Sequence, residues 1–247
     1  ACGVKLFNQE EHSFKLYTNP MKGPLFYSKI LLFGEYGIIK DSKGLSIPYN
    51  FYNGALKSDG NASAEAKKSN KNLERFVSYL DDLQIQQPYL VTFDMEALRR
   101  DVAGGMYFDS SIPQGYGVGS SGALVAAIYD KYAQNKITVL ENLTREKLLQ
   151  LKSIFGQMES FFHGKSSGLD PLNSYLSIPI LINSKDNIEA TGIPTQSAQG
   201  KGAVFLLDSG IVGETAPMVS IFMENLKDQG FRAMLKNQFI KYTDACV

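Results

Sequence analysis

Cysteine and histidine are scarce in this chain, since each occurs only twice among 247 residues. Cys2 and Cys246 stand at the two ends of the sequence and cannot build a disulfide scaffold. One disulfide between them is compatible with the sequence, but two reduced thiols are favoured, as in a cytoplasmic protein. Because so few thiol and imidazole ligands are present, a zinc site is not expected.

The chain also lacks an excess of either charge and any long apolar run. It has 25 basic and 25 acidic side chains, whereas a dedicated binder of nucleic acid or of an anionic membrane carries a basic excess. No apolar run approaches the ~18 residues of a membrane span, and the first residues lack the pattern of a signal peptide. We therefore expect a soluble globular protein in the cytoplasm, with no nucleic-acid or membrane partner.

Helix-sized and strand-sized hydrophobic patterns both occur, which indicates an α+β protein. Apolar runs bounded by turn residues predict strands at residues 29–33, 38–39, 45–47, 89–93, 106–108, 176–182 and 203–208. Amphipathic spacing predicts helices at residues 73–83, 124–132, 145–163, 217–228 and 231–241. The polar residues 57–72 indicate an exposed loop or a weak surface helix, which could serve as a mobile lid.

Residues 112–123 combine alternating glycines with two serines directly before a helix. Gly115, Gly117 and Gly119 let the backbone adopt positive φ and approach an anion closely, and the helix N-terminus adds free N–H groups. This pattern favours a phosphate-binding loop; a flexible turn in which a serine caps the helix is the alternative. The loop lacks the Gly-Lys-Ser/Thr ending of the P-loop, and its glycine spacing differs from the dinucleotide fingerprint.

Three segments resemble, in the same order, the motifs of the GHMP kinases, and most of all those of mevalonate kinases. Residues 29–36 (KILLFGEY) are similar to the N-terminal motif of that family, and residues 112–123 (IPQGYGVGSSGA) are similar to its glycine-rich second motif. Residues 159–170 (ESFFHGKSSGLD) are similar to a segment typical of mevalonate kinases. Residues 206–210, with Thr215, resemble the start of the family's second domain.

The resemblance implies the two-domain GHMP-kinase fold. An N-terminal α/β domain of the ribosomal-protein-like kind would occupy residues 1–190, and an incomplete ferredoxin-like C-terminal domain would occupy residues 191–247. The polar stretch 183–202 is the predicted boundary. Nothing after Gly230 resembles the family's third, glycine-rich motif, so we expect a truncated chain, a fragment or a shortened gene product.

The resemblance also implies ATP and Mg²⁺ as cofactors and assigns residues to each. Ser121 and Glu159 would bind Mg²⁺, which prefers oxygen ligands. The residues that would bind ATP are Ser110, Gly115, Tyr116, Gly117, Val118, Gly119, Ser120 and Ser121. Without the resemblance, Glu159 would be interpreted as a solvated surface residue near the end of its helix.

Two further residues take catalytic roles by resemblance. Asp170 would accept the proton of the acceptor hydroxyl, and Lys29 beside it would keep that carboxylate ionised. Each has a structural alternative, because Asp170 followed by Pro171 is typical of a helix N-cap and Lys29 could be an ordinary edge lysine of a strand. His163, before Gly164, is interpreted as part of a helix C-cap rather than as a base.

The implied function is transfer of the γ-phosphoryl group of Mg·ATP to the primary hydroxyl of mevalonate, an early step of isoprenoid synthesis. Phosphoryl transfer needs mostly positioning and charge neutralisation, which this short residue set can supply. Other substrates stay open (phosphomevalonate, a sugar or homoserine), as does a catalytically silent nucleotide-binding protein, because the third motif is missing. A homodimer is also open, since exposed apolar residues on the C-terminal helices would favour self-association.

Overall fold

An antiparallel sheet forms the platform on which the helices pack. This computed structural model describes residues 24–58, 60, 63–138, 143–192, 207, 210, 213 and 215–247. The strands are β1 (Phe26–Phe33), β2 (Gly44–Lys57), β3 (Tyr107–Ser110), β4 (Ile180–Ser184) and β5 (Asn187–Ala190). They follow the order β1-β2-β4-β5, and β3 pairs with the last four residues of β2. The long strand β2 therefore joins the parts of the sheet.

The helices fall into two groups that bury their apolar side chains in separate clusters. The first group comprises α1 (Ala64–Gln86), α2 (Met95–Ala103), α3 (Ser120–Tyr132), α4 (Arg145–His163) and α5 (Leu169–Leu176), and it shares one hydrophobic core with the sheet. The second comprises α6 (Thr215–Asn225), α7 (Gln229–Met234), a π-helical turn (Leu235–Ile240) and α8 (Lys241–Cys246), around a small cluster of Phe222, Leu226 and Leu235. Among the described residues, no helix has both the length and the apolar character needed to cross a membrane.

Helix α3 lies at the centre of the larger core and determines where the glycine-rich loop is placed. Val125, Ile128 and Tyr129 are almost completely buried, as expected for a helix that is apolar on nearly all sides. The Tyr129 ring packs against Phe155 of α4 and Tyr175 of α5, with ring centroids 5.0 and 5.2 Å apart. Because α3 is held between α4 and α5, polar residues on all three helices can meet at its N-terminus.

The predicted α+β class is confirmed, and so are most of the predicted helices. The periodic pattern over residues 145–163 coincides with α4 at both ends. The polar stretch 57–72 proves helical from Ala64 onward, because Ser63 accepts a hydrogen bond from the Ala66 N–H and caps α1. Strands predicted at residues 29–33 and 45–47 lie within β1 and β2.

Two predicted strands are wrong for reasons of local hydrogen bonding. Residues 38–39 belong to a 3₁₀ helix (Gly37–Lys40), at whose start the Ile39 N–H donates to the Tyr36 carbonyl at 3.0 Å. In residues 89–93, Phe93 donates its backbone N–H to the Gln84 side chain at 2.8 Å and makes an isolated bridge with Ala133. Both segments therefore satisfy their backbone groups without entering the sheet.

The remaining predictions concern the second half of the chain. Leu176 ends α5, so the strand predicted at residues 176–182 begins only at Ile180. The strand predicted at residues 203–208 lies outside the described residues, apart from Leu207. The sequence predicts partly exposed apolar residues on the C-terminal helices, among them the following five. Met223 and Phe239 are exposed as predicted, whereas the prediction is wrong for Phe222, Leu226 and Leu235, which are buried in the small cluster. The division into domains at residues 1–190 and 191–247 stays a prediction.

Candidate active site

The glycine-rich loop connects β3 to α3 and has the backbone geometry that its glycines predict. Gly115, Gly117 and Gly119 have φ of 79°, 69° and 83°, in the left-handed region that side chains with a Cβ rarely adopt. Helix α3 starts directly after Gly119, so its cap residue is a glycine and the alternative of a serine cap is wrong. The loop thus delivers an open backbone to a helix N-terminus, an arrangement suited to an anion.

Lys29 connects this loop to the sheet. Its backbone N–H donates to the Val118 carbonyl at 3.0 Å, which fixes the loop to β1. A Cβ added to Gly119 would lie 3.0 Å from Cγ of Lys29, so the loop packs directly on the lysine stem. The ammonium of Lys29 lies 2.9 Å from Oδ1 of Asp170, and the lysine side chain is only 8% exposed. A buried residue with these partners is not an ordinary edge lysine.

Asp170 lies in the first turn of α5, where its carboxylate faces Lys29. The predicted N-cap role for Asp170 is wrong, because α5 begins after Gly168, which has a φ of 74°. A side chain at Gly168 would collide with the Lys152 carbonyl, at 2.0 Å, so this close approach to α4 sets the start of the helix. The Asp170 side chain does not cap the helix; it is 35% exposed and can be reached from solvent.

Gly122 explains how Asp170 comes so near the loop. A Cβ at Gly122 would lie 2.7 Å from the backbone carbon of Asp170 and 2.7 Å from the nitrogen of Pro171. Only a residue without a side chain allows α3 and α5 to approach this closely.

Glu159 is buried in the last turns of α4, so its interpretation as a solvated surface residue is wrong. Its Oε1 accepts a hydrogen bond from the Ser121 hydroxyl at 2.9 Å, and its Oε2 accepts one from the Ser166 hydroxyl. Nε2 of His163 lies 3.0 Å from the same Ser121 oxygen. The predicted helix end is confirmed at Gly164, which has a φ of 72° and follows His163.

The charges of the site depend on one another. Burial lowers the pKa of the Lys29 ammonium, but the attraction of Asp170, aided by Glu35 and Glu159, outweighs burial and raises that pKa above its ordinary value. Burial, followed by the negative charge of Asp170, raises the pKa of the Glu159 carboxyl to about 7, against hydrogen bonds from Ser166 and Ser121 that act in the opposite direction. The ammonium of Lys29 lowers this pKa, and a further cation beside Glu159 would favour the ionised carboxylate more strongly.

The oxygen ligands at this point fit a magnesium ion that is shared with a phosphate. Ser121 and Glu159 together offer a hydroxyl and a carboxylate, both hard oxygen donors. Within the described part of the chain, no group of three or more His, Cys, Asp or Glu side chains is arranged to hold a metal ion. Because Mg²⁺ commonly takes one or two protein ligands and completes its shell with phosphate oxygens and water, this small set suffices.

The structure thus brings together Lys29, the loop at residues 118–121, Glu159 and Asp170. The hydroxyl of Ser110 instead accepts a hydrogen bond from the Ile112 N–H at 3.1 Å and shapes the entry to the loop. Sequence reasoning missed Ser166, and it gave His163 a capping role alone. Both residues lie within the segment at residues 159–170, but that resemblance gave neither of them a contact with Ser121 or Glu159, because these contacts depend on how residues 164–168 turn.

One family model matches the part of the chain that contains the glycine-rich loop, Glu159 and Asp170, but not Lys29. Residues 90–177 match the family model of the GHMP kinases N terminal domain. No curated protein matches the chain.

Among solved structures, three mevalonate kinases resemble the chain at low sequence identity. The enzyme from methicillin-resistant Staphylococcus aureus is 21% identical, with 68% of this chain and 54% of that chain covered and a TM-score of 0.35. The Methanococcus jannaschii enzyme is 13% identical, with 92% and 71% covered and a TM-score of 0.47. The L. major enzyme, in complex with R-mevalonate, is 17% identical, with 89% and 66% covered and a TM-score of 0.46. This chain therefore spans about half the length of the first of these relatives.

Proposed function

We propose that this chain, which carries the N-terminal domain of the GHMP kinases, transfers the γ-phosphoryl group of ATP to the primary hydroxyl of mevalonate. The family match supports a small-molecule kinase. The choice of mevalonate rests on the segment at residues 159–170, which resembles that of mevalonate kinases and contains both predicted acidic residues of the site.

The position of Lys29 between the glycine-rich loop and Asp170 supports this proposal best. Its backbone is bonded to the loop at Val118, and its ammonium is paired with Asp170. A phosphate held by the loop would therefore lie close to the ion pair. An acceptor hydroxyl that reaches Asp170 from solvent would then meet the γ-phosphorus, and such positioning is the main requirement of phosphoryl transfer.

In the proposed step, Asp170 accepts the proton of the acceptor hydroxyl. The oxygen then forms a bond to the γ-phosphorus, and the bond from that phosphorus to the bridging oxygen breaks, leaving ADP. Lys29 contacts one carboxylate oxygen, and a carboxylate has a second one to take the proton. The ammonium keeps Asp170 ionised beforehand and stabilises negative charge on the attacking oxygen.

Ser121 and Glu159 would hold Mg²⁺ at the start of α3. When bound there, the ion would neutralise charge on the phosphate oxygens. Ser121 also belongs to the first turn of α3, whose N–H groups would contact the same phosphates. The ATP-binding set would comprise Ser110 and residues 115–121.

The proposed kinase would have two domains in this chain. Residues 1–190 would form the ATP-binding domain, and residues 191–247 would be part of the C-terminal domain. Mevalonate and ATP would be its small-molecule ligands, in the cytoplasm, and a homodimer is compatible with the apolar surface of the C-terminal helices.

An assay of ADP formation against a panel of acceptors tests the proposal. The panel contains mevalonate, phosphomevalonate, galactose and homoserine, each with Mg·ATP. We expect ADP formation that depends on mevalonate. Turnover with another acceptor alone would replace the substrate, and ATP binding without turnover on any acceptor would favour the silent nucleotide-binding protein.

A further inference from the structure

Ser166 lies in the short turn between α4 and α5 and makes two hydrogen bonds through one hydroxyl. The hydroxyl donates to Oε2 of Glu159 and accepts from the Gly168 N–H at 3.0 Å. A serine hydroxyl has one proton and two lone pairs, so both bonds form together. Ser166 therefore joins the last turns of α4 to the start of α5.

Gly168, which donates its N–H to the Ser166 hydroxyl, packs tightly against α4. A Cβ at Gly168 would lie 2.0 Å from the Lys152 carbonyl and 2.7 Å from the Gly156 nitrogen, so the backbone at Gly168 is in tight contact with α4. Because Gly168 packs tightly on α4, the Ser166 hydroxyl that accepts its N–H is held next to that helix. Asp170 follows two residues later in the same helical turn.

The hydrogen bond from Ser121 does not by itself fix the Glu159 carboxylate, because the Ser121 hydroxyl also contacts His163. Ser121 donates to Oε1 of Glu159, but the Ser121 hydroxyl oxygen also lies 3.0 Å from Nε2 of His163, and Ser121 is itself a predicted metal ligand. One hydrogen bond leaves a carboxylate free to rotate about it, whereas two on opposite oxygens define its plane. Ser166 supplies the second bond from outside the predicted set of ligands.

We propose that Ser166 is a positioning residue of the kinase site: it orients the Glu159 carboxylate for the cation and keeps it in register with Asp170. This inference rests on the proposed function. Partners of this kind, which bind a ligand rather than the metal, typically change metal affinity or activity by about 10–100-fold when removed. Ser166 does not touch the reacting atoms, and its effect is transmitted through Glu159.

Manganese binding in the presence of ADP tests this inference without any turnover, with free Mn²⁺ followed by electron paramagnetic resonance. Ser166→Ala removes the hydroxyl, Ser166→Cys keeps the shape but donates weakly, and Ser166→Thr keeps the donor. Ser160→Ala is the matched control, because Ser160 is on α4 next to Glu159 but donates to the Gly156 carbonyl instead. Melting temperatures are recorded for all four variants.

We expect the Ala and Cys variants to weaken Mn²⁺ binding by about 10–100-fold, and the Thr and control variants to bind as the parent does. In kinetics, the Ala variant should lower kcat and require more Mg²⁺, with the KM for mevalonate unchanged. Parent-like Mn²⁺ binding by folded Ala or Cys variants would overturn the role of Ser166 alone. A parent that binds no Mn²⁺ with ADP would overturn both this inference and the proposed kinase function.

Discussion

The ammonium of Lys29, a buried residue of β1, lies 2.9 Å from the carboxylate of Asp170, in the first turn of α5. The same lysine donates its backbone N–H to Val118 in the glycine-rich loop. One residue therefore fixes the distance between a predicted phosphate site and a predicted base. Single substitutions can alter each part of this arrangement separately.

Replacing Lys29 with Met tests the need for the ammonium. Met keeps the aliphatic stem that packs on Gly119 but removes the charge beside Asp170. We expect kcat to fall roughly 10²–10³-fold, as when one stabilising donor is removed from an active site, with ATP affinity nearly kept. Lys57→Met is the control, because Lys57 pairs with Asp109 on the surface and such pairs contribute at most about 1 kcal/mol. Equal kcat in both variants would contradict the role of Lys29.

Replacing Gly122 with Ala tests the close approach of α3 and α5. The new Cβ would meet the backbone of Asp170 and Pro171 at 2.7 Å, so α5 must shift. We expect a loss of about 1–3 kcal/mol in stability and a fall in kcat on the order of 10²-fold, because a small misplacement of a base is costly. Gly192→Ala should change neither, since a Cβ there meets no described atom within 4 Å. Unfolding curves and initial rates measure the two effects.

Replacing Gly117 with Ala separates phosphate binding from backbone strain. Gly117 and Gly105 have φ of 69° and 87°, and within the described part of the chain a Cβ at either meets no atom within 4 Å. Both variants should lose a similar stability, about 1–2 kcal/mol for a left-handed residue. Only Gly117→Ala should weaken ATP binding, since its methyl group enters the space for phosphate. Calorimetric titration with ATP measures this difference, and equal ATP affinities would exclude Gly117 from the binding site.

Replacing Glu159 with Gln tests the buried carboxylate through pH. Its pKa of about 7 lies above the ordinary value of 4.5, so between these values the folded protein keeps a proton that the unfolded chain has lost. The stability contributed by this group is therefore fully present at low pH and is lost as pH rises through that window. Without ligands, the melting temperature of Glu159→Gln minus that of the parent should increase as pH rises from about 5 to 8. A difference in melting temperature that does not change with pH would contradict the raised pKa of Glu159. Glu74→Gln serves as control, because Glu74 is exposed.

Long periodic elements of the fold were predictable from the sequence because their buried faces are continuous. Helix α4 repeats large apolar residues along one face, and both its ends carry capping residues, Thr144 and Gly164. The apolar residues 89–93 have the composition of a strand, yet the Gln84 side chain takes the Phe93 N–H. Such a contact between a side chain and a backbone group nine residues away has no periodic signature and could not be predicted.

Part of the candidate site was likewise predictable from the sequence, and part of it was not. The resemblance to the GHMP kinases implied that Lys29, the glycine-rich loop, Glu159 and Asp170 belong to one site, and the structure brings them together. The cap at Asp170 was wrong because Gly168 packs against α4 and starts the helix earlier. The role of Ser166 was not predicted, because its two hydrogen bonds depend on the conformation of the turn between α4 and α5. A serine in a turn is too common to indicate such a role.

The most direct test is the transfer of labelled γ-phosphate from ATP to mevalonate by the parent chain and by Asp170→Asn, with ATP affinity measured on the same samples. Asn has nearly the same size but cannot accept the hydroxyl proton. We predict that the parent forms phosphomevalonate, that the variant is slower by roughly 10²–10⁴-fold, and that both bind ATP equally well. Asp109→Asn, on the surface beside Lys57, should behave as the parent. Phosphomevalonate formation at the same rate by Asp170→Asn, or none by the parent, would contradict the proposed mechanism.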